Sequence, residues 1–101
     1  MIARIWKGST TLENADRYVA HLRDSVFPEL AVIDGHVAAY VLERRGASAV
    51  DFTVITLWSS MEAIHAFAGP DAEVAVIPPR AQALLATRED RATHFDVVLS
   101  Q

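Results

Sequence analysis

Two consecutive strand-like segments constrain the fold of this chain more than any other part of its sequence. They span residues 36–45 and 50–58, and the short Gly-containing connection between them predicts an antiparallel hairpin. In both segments, each set of alternate positions is largely apolar. The sets are Val37, Ala39, Val41 and Ala38, Tyr40, Leu42 in the first segment, and Phe52, Val54, Thr56, Trp58 and Thr53, Ile55, Leu57 in the second. A sheet that is apolar on both sides must be covered on both sides.

Capping and stop signals predict two helices around this hairpin. In each, Ser or Thr precedes Glu by three residues, which is the capping-box pattern, and Pro follows where the helix is expected to end. The pairs are Thr10 and Glu13 with Phe27-Pro28 for the first helix, and Ser59 and Glu62 with Gly69-Pro70 for the second.

Shorter patterns complete the chain. Residues 2–7 have the composition of a strand that ends at Gly8, residues 80–86 predict a short helix after two prolines, and residues 94–100 predict a last strand. The resulting β-α-β-β-α-α-β order predicts a single α+β domain over residues 1–101, a ferredoxin-like antiparallel sheet with helices on one face. We expect a second copy of the same sheet to cover the other face, which makes the protein a homodimer.

Composition narrows the function classes. The formal net charge of −4 counts against a generic nucleic-acid or anionic-membrane binder. The absence of cysteine excludes disulfides, thiolate nucleophiles and Cys-based metal sites. No apolar run approaches the ~20 residues of a membrane span, and no signal-peptide pattern precedes the first strand, so a cytoplasmic protein without a membrane partner is expected.

Three stretches resemble a known family. They are Met-Ile-Ala-Arg4-Ile-Trp6-Lys-Gly8, Leu57-Trp58-Ser-Ser-Met-Glu62-Ala-Ile64-His-Ala-Phe67-Ala-Gly69 and Thr93-His94-Phe95-Asp96-Val97. Together they resemble the antibiotic biosynthesis monooxygenase-like proteins across essentially the whole chain. The resemblance implies a dimeric α+β barrel in which each protomer has a pocket between helices and sheet. Its known activities include cofactor-independent oxygenation of aromatic polyketides, haem degradation and processing of a sugar phosphate, so the fold alone does not choose the chemistry.

The junction of the third strand and the second helix is the expected site. His65 stands there among apolar neighbours, and we predict it as the catalytic base for a small, apolar, aromatic or quinol-type substrate. Trp58, Met61, Tyr40 and Trp6 are the predicted substrate-binding residues. The ordinary alternatives are a histidine hydrogen-bonded to a carbonyl and tryptophans that belong to the core.

Other polar residues have weaker patterns. Arg4 lies within a strand, where we expect an ion pair with Asp51, Asp96 or Glu43. His94 and Asp96 share one face of the last strand, and His36 begins the second strand. A pair of His94 or His36 with Asp96 would form an oriented base, and the alternative is that His94 and Asp96 make ordinary hydrogen bonds at the surface or the dimer interface. The spacing of His21 from Arg17 and Asp24 predicts a solvated side chain. No metal-ligand spacing is present, and no Gly-rich phosphate loop.

The first functional hypothesis is therefore a cofactor-independent monooxygenase. The second is a non-catalytic dimer that binds a small molecule, favoured because residues 75–79 are wholly apolar where the family suggests a tyrosine. The third is a haem-handling protein, since Trp58 and His65 stand where haem-degrading relatives have such residues, although the only asparagine, Asn14, is elsewhere.

Overall fold

The computed structural model describes residues 1–101 as one antiparallel sheet with its helices on one face. The strands are β1 Ile2–Thr11, β2 His36–Arg45, β3 Ala49–Trp58, β4 Leu85–Arg88 and β5 Thr93–Asp96. The helices are α1 Leu12–His21, α2 Phe27–Ala31, α3 Met61–Ala68 and α4 Pro79–Leu84, with a π-helical turn at Leu22–Val26 between α1 and α2. The predicted α+β class with a ferredoxin-like sheet is confirmed.

Strand β1 lies at the centre of the sheet. It pairs with β3 along its whole length, and β2 pairs with the far side of β3. The other edge of β1 is shared, because β5 pairs with its first half and β4 with its end. This arrangement places Arg4 between Thr56 of β3 and His94 of β5, on the helix-covered face.

Strand β1 is longer than the sequence predicted. It continues through Gly8 to Thr11 instead of ending at the glycine. A Cβ at Gly8 would lie 2.6 Å from the Trp6 ring and 3.0 Å from the Thr87 carbonyl oxygen. Glycine is therefore required because these groups approach the backbone closely, and it does not mark the end of the strand. Because β1 continues, the first helix is capped by Thr11, whose hydroxyl accepts the Asn14 amide, and not by Thr10.

The second cap also lies one residue later than predicted. The Ser60 hydroxyl, not that of Ser59, accepts the Ala63 amide at the start of α3. The predicted end is confirmed: Gly69 has φ of 90°, a conformation that is strained for other residues. Phe27-Pro28, by contrast, does not end the first helical stretch. The helical backbone continues from α1 through the π turn, and Pro28 lies in the first turn of α2.

The C-terminal third contains a strand that the sequence did not predict. The short helix stops at Leu84, and Leu85–Arg88 forms β4 against the extended end of β1. The last strand covers Thr93–Asp96 only, and the following Val98 and Leu99 are almost fully exposed.

Two apolar clusters lie between helices and sheet. One joins Tyr18 and Leu22 to Phe52 of β3, and the other joins Leu30 and Ile64 to Trp58. The opposite face of the sheet has no cover in the chain and is also apolar, as the alternation predicted. Tyr40, Leu42 and Phe95 are each about half exposed there. None of the helices is long and apolar enough to cross a membrane.

Candidate functional site

An apolar cavity opens between the sheet and the first helical stretch. The cavity has a volume of about 70 Å³ and opens to solvent at its mouth. Eleven of its fourteen lining residues are hydrophobic. The lining comprises Arg4, Trp6, Val54 and Thr56 from the sheet, Tyr18, Leu22 and Val26 from the helices, Phe67 from α3, and Ala75, Val76, Ile77, Pro78, Ala81 and Leu85 from the C-terminal third. Its walls therefore come from both apolar clusters and the segment before α4.

Arg4 is the one charged residue in this lining, and only 5% of its surface is exposed. Its guanidinium donates to the backbone oxygens of Ala72 and Val74, the latter at 2.7 Å, and its Nη1 lies 3.0 Å from His94 Nε2. Because arginine only donates, the imidazole nitrogen must accept this bond, which leaves the ring proton on Nδ1. The prediction of an ion pair with Asp51, Asp96 or Glu43 is wrong, because no carboxylate lies within 4.0 Å of Arg4.

The acidic residues nearest in sequence to the Arg4 contacts are occupied elsewhere. Asp71 and Glu73 flank Ala72, and each binds the Arg91 guanidinium at 3.0 Å. The Arg4 charge therefore has no carboxylate partner in the chain. Burial lowers the pKa of Arg4, but an arginine in a protein remains protonated.

An aromatic stack supports the guanidinium. The centre of the Arg4 guanidinium lies 5.7 Å from the centroid of Phe67, within the range of a cation–π contact. Phe67 stacks on Trp58 at 5.6 Å, and the Trp58 indole donates to the Thr56 hydroxyl at 2.8 Å. Trp58 is completely buried behind the lining, so it contacts cavity residues without facing the cavity.

Tyr18, a buried residue of α1, also lines the cavity. Its ring packs against Phe52 at 4.9 Å, and only 2% of the residue is exposed. Burial raises the pKa of Tyr18 well above its ordinary value, so the phenol stays protonated and can donate a hydrogen bond. The sequence analysis did not single out Tyr18 as a site residue, and its phenol, a polar group on the buried side of α1, was the available signal.

The predicted site residues are distributed over several surfaces. Trp6 lines the cavity, whereas Tyr40 lies on the uncovered face of the sheet, and Met61 and His65 lie one turn apart on the exposed side of α3. The His65 Nδ1 donates to the Gly69 carbonyl oxygen at 2.9 Å, the ordinary interaction of a histidine at a helix end. The structure does not bring His65 into the cavity lining.

The remaining histidines lie in different environments. His21 was expected to be solvated, but that prediction is wrong: only 6% of it is exposed, and neither ring nitrogen has a hydrogen-bond partner. The imidazole of His36 meets the edge of Trp58 at 5.0 Å, and burial lowers its pKa. The pKa of His94 is lowered by burial first and by the Arg4 charge second. Neutral imidazoles are therefore favoured at positions 36 and 94.

Metal ligands do not converge in this structure. No group of three or more His, Asp or Glu side chains is close enough together to hold a metal ion.

Comparisons with known proteins bear on the fold. No protein-family model matches the sequence, and no curated protein matches it either. Several solved structures match, among them two crystal structures with probability 1.00, both of proteins described as candidate antibiotic biosynthesis monooxygenases. The Bacillus cereus protein has a TM-score of 0.67 and 11% identity, and the Chloroflexus aurantiacus protein has a TM-score of 0.64 and 18% identity. Each match covers 99% of this chain and 95% of the other. The chain therefore has the fold of these two proteins, in agreement with the resemblance found in its sequence.

Proposed function

We propose that this protein binds a small, apolar, aromatic or quinol-type molecule in the cavity and promotes its reaction with dioxygen without a bound cofactor. The observation that carries the proposal is a mostly apolar cavity with a single buried cation in its lining. Cavities of this composition suit a ligand that is buried largely through apolar contacts and oriented by a few polar groups. The descriptions of the two similar structures support oxygenation as the reaction.

Aromatic side chains suit a planar ligand. Trp6, Tyr18 and Phe67 line the cavity from three different elements, so a flat molecule can contact ring surfaces on more than one side. The wholly apolar segment of residues 75–78 completes the wall. Binding there removes apolar surface of both partners from water, which is favourable in proportion to that area.

His65 remains the proposed base, and its role is directly testable. Its α3 helix also presents Phe67 to the cavity, so His65 would serve a substrate that reaches past Phe67 along α3. The experiment is oxygen consumption by His65→Ala on a substrate found by screening, with Glu62→Ala, a change at another exposed residue of α3, as the control. Turnover by His65→Ala equal to that of the unaltered protein would remove His65 from the mechanism.

The second candidate function is binding without catalysis. A specific observation favours it: the lining contains no histidine or carboxylate, and the only ionisable lining groups, Arg4 and Tyr18, both stay protonated. A ligand that raises the melting temperature but is recovered unchanged after aerobic incubation would support this function over oxygenation. A ligand at a hundredfold excess over its Kd should add about 2.7 kcal/mol to the free energy of unfolding.

The lining residues do not fit a haem. Haem iron in proteins is usually held by histidine, cysteine or methionine, and the cavity lining contains none of these. Its tyrosine is held in the protonated form by burial, which disfavours ligation. Titration with haem should therefore produce no Soret band characteristic of a bound haem.

We also propose that the uncovered face of the sheet is the interface of a homodimer. Tyr40, Ile55 and Ile5 lie side by side across β2, β3 and β1 on that face, and Phe95 adds to the same surface. An exposed apolar sheet face of this extent is unfavourable in a monomer. Light scattering should give about twice the 11.1 kDa of one chain.

A matched pair of variants tests the interface. Ile55→Arg places a charge at the centre of the uncovered face and should yield a monomer. Val32→Arg makes a comparable change at a residue that is 84% exposed after α2, and should leave the dimer intact. A monomeric unaltered protein at micromolar concentration would refute the proposal.

A further inference from the structure

We infer that the ligand carries an oxyanion, either a carboxylate or an ionised phenol or enol, and that Arg4 receives it inside the cavity with Tyr18 and Thr56. This inference rests on the proposed function, because it names the class of molecule that the cavity binds. The oxyanion is attached to a planar apolar body, which fills the remaining space.

The first argument is the balance of charge. Arg4 is buried, it has no carboxylate within 4.0 Å, and the neighbouring acids Asp71 and Glu73 both bind Arg91. His94, the side chain in direct contact with Arg4, is neutral, since an imidazolium would have no lone pair to accept the bond. A buried charge without a counter-charge is destabilising, so an incoming anion gains from an interaction that the chain itself leaves unmade.

The second argument is the supply of donors. A guanidinium has five N–H bonds, and three of those of Arg4 are used by the Ala72 oxygen, the Val74 oxygen and His94 Nε2. Two N–H bonds therefore remain. The Tyr18 hydroxyl has no acceptor in the chain, and the Thr56 hydroxyl accepts from Trp58, so its own proton is free to be donated.

These groups select against cations and favour anions. Arg4, Tyr18 and Thr56 each have a proton that no group in the chain accepts, and the lining contains no carboxylate, whereas the Trp6 indole proton is already donated to the Glu89 oxygen. Hydrogen bonds from a guanidinium to an oxyanion are about twice as strong as those between neutral groups. The apolar walls strengthen the attraction further, because they keep water away from the charges.

Arg4 also has a structural role, which decides how the inference must be tested. Its bonds to the Ala72 and Val74 oxygens hold the chain directly before residues 75–78, which wall the cavity. Removing the guanidinium would thus disturb the cavity itself. The first test therefore changes the ligand and leaves the protein unaltered.

The test is isothermal titration calorimetry with two pairs of ligands that differ in charge. The pairs are 2-naphthoate with 2-naphthamide, and 2-hydroxy-1,4-naphthoquinone with its 2-methoxy ether, at a pH where the first member of each is ionised. The first pair reports a carboxylate and the second an ionised enol. We expect the ionised member of at least one pair to bind about tenfold more tightly or better, as a charge-assisted hydrogen bond predicts.

Variants then assign the preference to the named residues. Tyr18→Phe keeps the ring and removes a hydroxyl that has no partner in the chain, so it should fold normally and reduce the preference for the ionised ligand several-fold. Arg4→Met should abolish the preference. Arg88→Met is the matched control, because Arg88 is an exposed arginine outside the cavity lining, and it should change nothing.

The outcomes separate the two proposals. Equal affinity for ionised and neutral members of both pairs overturns the oxyanion inference and leaves the apolar binding cavity supported. A preference that survives in Arg4→Met also overturns it, because the anion is then bound elsewhere. Binding of no member at millimolar concentration overturns both the inference and the proposed function.

Discussion

Replacing His21 by leucine should stabilise this protein. Only 6% of the surface of His21 is exposed, and neither of its ring nitrogens forms a hydrogen bond. A buried polar group left without a partner costs about 1–3 kcal/mol, so two such atoms give leucine a substantial advantage. The change of shape from ring to branched chain offsets part of it, by up to about 1.5 kcal/mol. With about 2–6 kcal/mol for the two nitrogens and up to about 1.5 kcal/mol of offset, His21→Leu should gain at least about 0.5 kcal/mol.

The assay is urea denaturation of His21→Leu and the unaltered protein, followed by circular dichroism at several protein concentrations. In a domain of about 100 residues each kcal/mol corresponds to roughly 4–8 °C in melting temperature, so a thermal scan should agree. His65→Leu is the matched control. Its imidazole is exposed and bonded to the Gly69 oxygen, so the same substitution should cost stability or leave it unchanged. A loss of more than 1 kcal/mol in His21→Leu would refute the reasoning, because it would mean that the ring nitrogens have partners.

Two further predictions follow from the same structure. Burial lowers the pKa of both His36 and His94 in the folded protein, so the unfolded chain binds protons more readily. The free energy of unfolding should therefore fall as the pH drops from about 7.5 through the ordinary histidine pKa of about 6.5. Denaturation midpoints measured across this range check the slope, and His36→Phe should flatten it; a constant midpoint would contradict the assignment. Gly8→Ala should cost about 1–3 kcal/mol and displace Trp6, because the added methyl meets the indole ring and the Thr87 carbonyl oxygen. Tryptophan fluorescence reports the displacement, and an unshifted spectrum with full stability would show that the strands can separate there without cost.

The hairpin was the most predictable part of the fold. Its apolar segments predicted β2 at its observed bounds and β3 to within one residue. Both helix caps were predicted one residue early, because in each case two hydroxyl residues are adjacent and the sequence does not say which one leaves the strand conformation. Strand β4 was missed, since four residues carry little periodicity and this strand forms only against the extended end of β1.

The candidate site was predictable only in part. Sequence reasoning placed Trp6 among the ligand-binding residues and recognised that a charge at Arg4 needs a partner. It looked for a carboxylate, whereas the observed partners include two backbone oxygens about 70 residues away. Every residue has a carbonyl oxygen, so a sequence contains no signal for which one is used.

The sequence by itself determined the α+β class, the hairpin and an apolar character on both faces of the sheet. These features depend on periodicity and local hydrogen bonding, which are properties of neighbouring residues. Only the tertiary structure decided that Arg4, Tyr18, Thr56 and Phe67 share one cavity and that the histidine on α3 stays outside it. The physical reason is that burial and electrostatic partners are set by the packing of segments distant in sequence: strand pairing brings His94 beside Arg4, and the pairing of Asp71 and Glu73 with Arg91 leaves that buried charge uncompensated.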